Sequence, residues 1–196
     1  MGAAEKLYFT LEEYLALEEE GEKYSIRHEF HDGEIFIISD SSIAHNQALM
    51  GAIIGLTTAL KDKPCQVVTS TQKVHVQTES FYCYPDIVVV CDPIETLEGH
   101  KDIITNPTLL IEILSPFTMD YDRGEKFRLY RNIPTLEEYI CISSLQVSVE
   151  KYTRQNSTQW LFEEYTSIND IVTIEKMGIS LSLAGIYEKV DFSLNA

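Results

Sequence analysis

The chain has 196 residues, 44% of them hydrophobic and 23% charged, which suits a globular protein with a buried core. No run reaches the roughly 18 apolar residues that a membrane span needs, and the first ten residues lack the apolar stretch of a secretory signal, so a cytoplasmic location and no membrane partner are expected. The formal charge of −16 opposes indiscriminate binding to nucleic acid, whose phosphates demand cationic partners.

The acidity is uneven along the chain. Residues 1–36 hold ten acids against Lys6, Lys23 and Arg27, whereas residues 123–131 hold Arg123, Lys126, Arg128 and Arg131 against Glu125 alone. Thr10-Leu11-Glu12-Glu13 has capping-box spacing and predicts a helix to about Glu20, stopped by Gly21. Two strand-like runs follow, Ser25–His31 and Glu34–Ser39. Asp32-Gly33 between them predicts a hairpin, because both turn positions need positive φ. Ser42 is placed to cap a second helix from Ile43 to about Asp62, with Leu49, Ile53, Leu56 and Leu60 on one face. Pro64 ends it. Strands are predicted at roughly 66–70, 73–78 and 86–91. Leu109–Leu114 is nearly all apolar and reads as a strand covered on both faces. A third helix is predicted over about Asp120–Asn132, before Pro134. Four strands then follow, Glu138–Ser143, Val147–Thr153, Gln159–Tyr165 and Val172–Glu175, with a helical turn at Leu183–Tyr187. No repeat or Pro/Gly-rich linker interrupts the pattern. The expectation is a single α/β domain over residues 1–196, a central mixed β-sheet flanked by helices. Cys65, Cys83, Cys91 and Cys141 form no C-x-x-C pair and are expected to be reduced, buried thiols.

Two carboxylates stand out against this background. Asp86 sits at the mouth of the β-branched run Ile87-Val88-Val89-Val90, and Glu112 sits inside Leu109–Leu114. A carboxylate in such a run is costly to bury alone and needs a partner. A shared divalent cation, held by one or two carboxylates plus water, would supply one. Lys126 falls on the helix face of Leu129, Tyr130 and Ile133, which should meet the sheet. There its ammonium needs negative charge, from the two carboxylates and a substrate phosphate. Tyr130 is expected to pack.

The ordered series His28-Glu29-Phe30-His31-Asp32-Gly33-Glu34, His45, Pro85-Asp86-Ile87-Val88-Val89, Ile111-Glu112-Ile113-Leu114-Ser115-Pro116, Asp122-Arg123-Gly124-Glu125-Lys126, Tyr130 and Glu138-Tyr139 resembles the Uma2 family (DUF820) of restriction-endonuclease-like proteins. The likeness spans about residues 10–165, leaving 166–196 as C-terminal strands and tail. It implies a PD-(D/E)xK nuclease fold. The usual signature places lysine two residues after the glutamate, where this chain has Leu114, so the resemblance implies a lysine migrated to Lys126. It further implies an Mg²⁺- or Mn²⁺-dependent endonuclease acting on DNA, possible as a homodimer, with Asp86 and Glu112 as metal ligands and Lys126 and Glu29 completing the catalytic set. His45, at a helix start that favours anions and lowers a histidine pKa, and Arg123 and Arg128, in the basic segment, are the weaker candidates for touching substrate. The alternative is a nuclease-like fold that no longer cuts and serves as a binding or regulatory module. A carboxylate-pair glycosidase is a distant third, since Trp160, the one tryptophan, is remote from the acids in sequence and offers them no sugar platform.

Overall fold

The computed structural model describes residues 8–194, apart from residues 25, 39, 40 and 70. Ser25, Ser39 and Ser70, the outer ends of three predicted strands, lie outside the described residues. In chain order the elements are α1 (Leu11–Gly21), β1 (His28–His31), β2 (Glu34–Ile37), α2 (Ile43–Ala59), β3 (Gln66–Thr69), β4 (Lys73–Val76), β5 (Phe81–Cys83), β6 (Ile87–Val90), β7 (Ile103–Ile104) and β8 (Leu109–Leu114). A broken helix follows: α3 (Met119–Tyr121), a π turn over Asp122–Lys126, then α4 (Phe127–Tyr130). The chain continues through β9 (Glu138–Ser143), β10 (Val149–Arg154), β11 (Trp160–Tyr165), β12 (Ile171–Ile174), β13 (Ile179–Ser182) and α5 (Leu183–Ile186).

Local chemistry sets these boundaries. At the start of α1, the Glu13 amide donates to Thr10 Oγ1 at 3.2 Å while Glu13 Oε2 accepts from the Thr10 amide at 2.7 Å, closing the capping box. Asp32 and Gly33 adopt φ of 48° and 89° and join β1 to β2 with His31 opposite Glu34. Ser42 Oγ accepts the His45 amide at 3.1 Å and starts α2.

The strands form mixed sheets flanked by helices. A six-stranded sheet runs β11-β10-β9-β8-β6-β3, with only β8 and β9 parallel. A five-stranded sheet runs β2-β1-β5-β4-β7, and β12 and β13 form a hairpin. Alternate residues of β6 and β8 divide between two cores. Ile87, Val89, Leu109 and Ile111 join α2, α5 and the β12–β13 hairpin on one face. Val88, Val90 and Leu110 join α4 and strands β4 and β5 on the other. The C-terminal hairpin thus belongs to the same core as the central sheet.

The buried stripe of α2 is narrower than its large apolar residues suggested. Ala44, Ala48, Ala52 and Leu56 are its fully buried residues, while Leu49 and Ile53 are half-buried flanks. Small side chains let the helix approach closely: a Cβ at Gly51 would lie 2.1 Å from the Ile186 carbonyl oxygen of α5.

The cysteines correct one expectation. Gln66 pairs with Val90 across β3 and β6, so Cys65 and Cys91 stand opposite one another and form a disulfide. Their 26-residue separation carries no local signal. Cys83 and Cys141 are buried free thiols.

One buried acid makes stability depend on pH. Glu138, at the start of β9, is fully buried, and neither carboxylate oxygen has a hydrogen-bond partner among the described residues. Burial pushes its pKa up to about 7; Lys151 opposes the rise and Glu175 adds to it. The folded state therefore keeps a proton that the unfolded chain loses near pH 4.5, and stability is lost as pH rises through about 7. Glu138→Gln should match wild type in thermal melts near pH 4 and exceed it above pH 7, by at most about 3 kcal/mol.

Candidate active site

The antiparallel register of β6 and β8 pairs Ile87 with Ile111, which brings the preceding Asp86 beside the following Glu112. The Ile113 amide donates to Asp86 Oδ2 at 2.8 Å, and the Asp86 amide approaches Glu112 Oε2 at 3.4 Å. Both acids belong to the face of the sheet on which α4 packs. There Tyr130 donates to Glu112 Oε1 at 2.7 Å, so a residue expected only to pack also fixes the buried glutamate.

Lys126 joins elements that are distant in sequence. Its Nζ lies 3.0 Å from Glu29 Oε1, 3.2 Å from Glu112 Oε1 and 3.3 Å from Asp122 Oδ1. Glu29 comes from β1 of the five-stranded sheet, Glu112 from β8 of the six-stranded sheet, and Asp122 from the π turn itself. All four side chains are buried. Burial alone would pull the ammonium's pKa down, but Glu112, Glu29 and Asp122 together hold it well above the usual lysine range. Burial pushes Glu112 above the usual carboxylate range; Lys126 opposes this, and Asp122, Asp86 and Glu29 add to it. Three acids stand about one lysine, and a fourth, Asp86, lies beside Glu112, so the site is rich in acids.

These groups form the floor of a cavity of about 270 Å³. One wall is Phe36, Ile37 and Ile38 from β2 and its end; the register sets Phe36 opposite Glu29, so both face the same side. The other wall is Phe117, Thr118 and Tyr121, after β8. His45 closes one end, its Nε2 3.4 Å from Asp86 Oδ2. Burial would lower the His45 pKa, but Asp86 outweighs it and the net shift is upward. The shift is thus opposite to the lowering expected from the helix start, with Asn46 and Asp122 adding to the effect of Asp86.

The structure thus brings together Asp86, Glu112, Lys126, Glu29 and His45. It leaves Arg123 and Arg128 outside the cavity. Arg123 binds Glu150, with Nε–Oε1 at 2.9 Å and Nη2–Oε1 at 2.7 Å, and Arg128 binds Glu125 at 2.8 Å. Asp122 is the site acid that sequence reasoning missed. Its position four residues before Lys126, on the same helical face, was the available signal. The aromatic walls had no such signal, because Phe36, Phe117 and Tyr121 meet only through the fold.

A mixed α/β scaffold with buried acids and a lysine at a sheet junction defines a restriction-endonuclease-like protein. The chain belongs to the Uma2 family, whose model, described as "Putative restriction endonuclease", matches residues 11–184. That match runs past the motifs into the C-terminal hairpin and α5. Two uncharacterized Synechocystis proteins, slr1290 and sll1609, are similar throughout. The first is 32% identical over 181 residues, covering 92% of each chain. The second is 31% identical over 170 residues, covering 87% of this chain and 94% of its own. The fold matches a crystal structure from Anabaena variabilis, described as a "putative nuclease belonging to DUF820". Its TM-score is 0.72 at 18% identity, over 96% of this chain and 99% of the other.

Proposed function

We propose that the chain is an endonuclease that hydrolyses phosphodiester bonds of DNA with Mg²⁺ or Mn²⁺, at the floor of the acidic cavity. The observation that carries this reading is the convergence of Glu112, Glu29 and Asp122 on one buried lysine, with Asp86 beside Glu112, at an open cavity. Among the described residues, no group of three or more His, Cys, Asp or Glu side chains is placed to hold a metal ion. The donor set fits a more open site, since hard divalent cations take one or two carboxylates and complete their shell with water. Asp86 and Glu112 would hold the ion, which when bound would neutralise charge on the scissile phosphate and lower the pKa of a water.

The protein's own groups then have defined tasks. Hydrolysis adds one water across a P–O bond: a new P–O bond forms, the old one breaks, and the leaving oxygen ends with a proton. Lys126 Nζ offers positive charge to the oxygens that gain negative charge in that step. Glu29 and Asp122 position the ammonium. Tyr130 and the Ile113 amide hold Glu112 and Asp86 against rotation. His45 supports Asp86 from the other side.

Calorimetric titration with Mn²⁺ tests the reading without relying on turnover. Wild type should bind with measurable heat, and Asp86→Asn should weaken binding at least about tenfold. A wild-type titration without heat would instead favour the non-cutting binding module.

A further inference from the structure

We propose that the substrate is an unpaired strand rather than an intact double helix, with a base lying against the rings of Phe36, Tyr121 and Phe117 while its phosphate reaches the acidic floor. This rests on the nuclease reading above and adds the form of nucleic acid to it.

Charge gives the first argument. Proteins that grip a duplex through its backbone do so with lysines and arginines along the rim. Among the described residues lining this cavity, Lys126 is the only lysine or arginine, and three carboxylates surround it. The nearby Arg123 and Arg128 are held by Glu150 and Glu125. The cavity lining itself thus offers little phosphate-binding capacity.

The walls supply contact of another kind. Phe117 is 91% exposed and Ile37 74% exposed, at the mouth of a cavity whose floor is charged. The Ser115 hydroxyl accepts the Phe117 and Thr118 amides, both at 3.3 Å, and ties down the loop that carries the Phe117 ring. Phe36 and Tyr121, which also line the cavity, form a tilted ring pair with centroids 6.3 Å apart. Aromatic faces of this kind bind bases by stacking at about 1–3 kcal/mol each, whatever the base, and need them unpaired. Tyr121 also lines this space, and its hydroxyl is buried with no hydrogen-bond partner among the described residues.

Depth gives the third argument. Glu112 and Lys126 are buried beneath a cavity of about 270 Å³. That space admits one unit of a flexible chain and excludes the body of a double helix. A base seated on the aromatic walls must leave its pairing partner, so a single strand or an already unpaired nucleotide enters most readily.

The test uses one fluorescein-labelled DNA oligonucleotide in three forms: single strand, blunt duplex, and duplex with a central unpaired bulge. Each is incubated with the full chain and Mn²⁺ at about 50 and about 200 mM salt. The proposal expects the single strand to be cut at least about tenfold faster than the blunt duplex, with cleavage of the bulged form at the bulge. It expects less than about tenfold loss over that salt range, against the 10³–10⁵ typical of six to ten phosphate contacts. Phe117→Leu should raise KM several-fold while Phe117→Trp retains wild-type KM, a contrast that separates stacking from simple apolar contact. Duplex cut as fast as single strand, or Phe117→Leu indistinguishable from wild type, overturns the proposal and leaves the nuclease reading standing. If nothing is cut, fluorescence anisotropy decides. Tighter binding of single strand that Phe117→Leu weakens supports the unpaired-strand site and removes the catalytic reading; no binding of either form removes both.

Discussion

Replacing Lys126 with Met should destabilise the fold by about 3–5 kcal/mol, because it leaves three buried carboxylates without their common cation. Urea denaturation of the purified variant is the measurement. The magnitude follows from the asymmetry of buried ion pairs: the assembled cluster contributes little net stability, but removal of one member exposes the desolvation cost of the others. Glu29, Glu112 and Asp122 belong to two sheets and a π turn, so none can turn to water without disturbing packed backbone. A paired change sharpens the test. Glu112→Gln in the Lys126→Met background removes one of the stranded charges and keeps an acceptor for Tyr130, so it should recover part of the loss. A double-mutant cycle with coupling below about 0.5 kcal/mol would contradict the cluster as described.

Cleavage should fall by at least about 10²–10³-fold in both Asp86→Asn and Glu112→Gln, with the fold intact. The fold survives because the local hydrogen bonds can persist in both variants. In Asp86→Asn the side-chain carbonyl oxygen can still accept the Ile113 amide, and in Glu112→Gln the corresponding oxygen can still accept from Tyr130. What each variant loses is the negative charge facing the cavity. Single-turnover cleavage alongside circular dichroism and a thermal melt separates loss of chemistry from loss of structure. Cleavage at the wild-type rate in the double variant would end the nuclease reading of this site.

Asp86 and Glu112 were legible in the sequence because one stands at the mouth of, and the other inside, a run of β-branched or aliphatic residues. Their convergence was not legible. It depends on Ile87 pairing with Ile111, and pairing partners are chosen by the whole sheet rather than by either strand. Lys126 could be placed on a sheet-facing stripe from helical spacing alone, and the same spacing would have put Asp122 beside it, but the π turn that breaks the helix there was not legible. Glu29 reads equally well as a solvent-facing strand residue until the second sheet covers it. The Cys65–Cys91 bridge was missed for the same reason, since each cysteine lies just outside a strand whose partner is 26 residues away. β5, β7 and β13 were missed because strands of two to four residues give too little alternation to detect. The basic stretch at residues 123–131 misled in the opposite direction, because it looked like a binding patch only while Glu150 was out of view.

The hold of Lys126 on Glu29 and Glu112 makes the candidate site a joint between two separately hydrogen-bonded slabs. Neither slab contains the whole candidate set of groups by itself. Any shift of one against the other would part the ammonium from an acid before it disturbed a single strand pairing, so cutting activity would report the docking of the two halves earlier than backbone spectroscopy does.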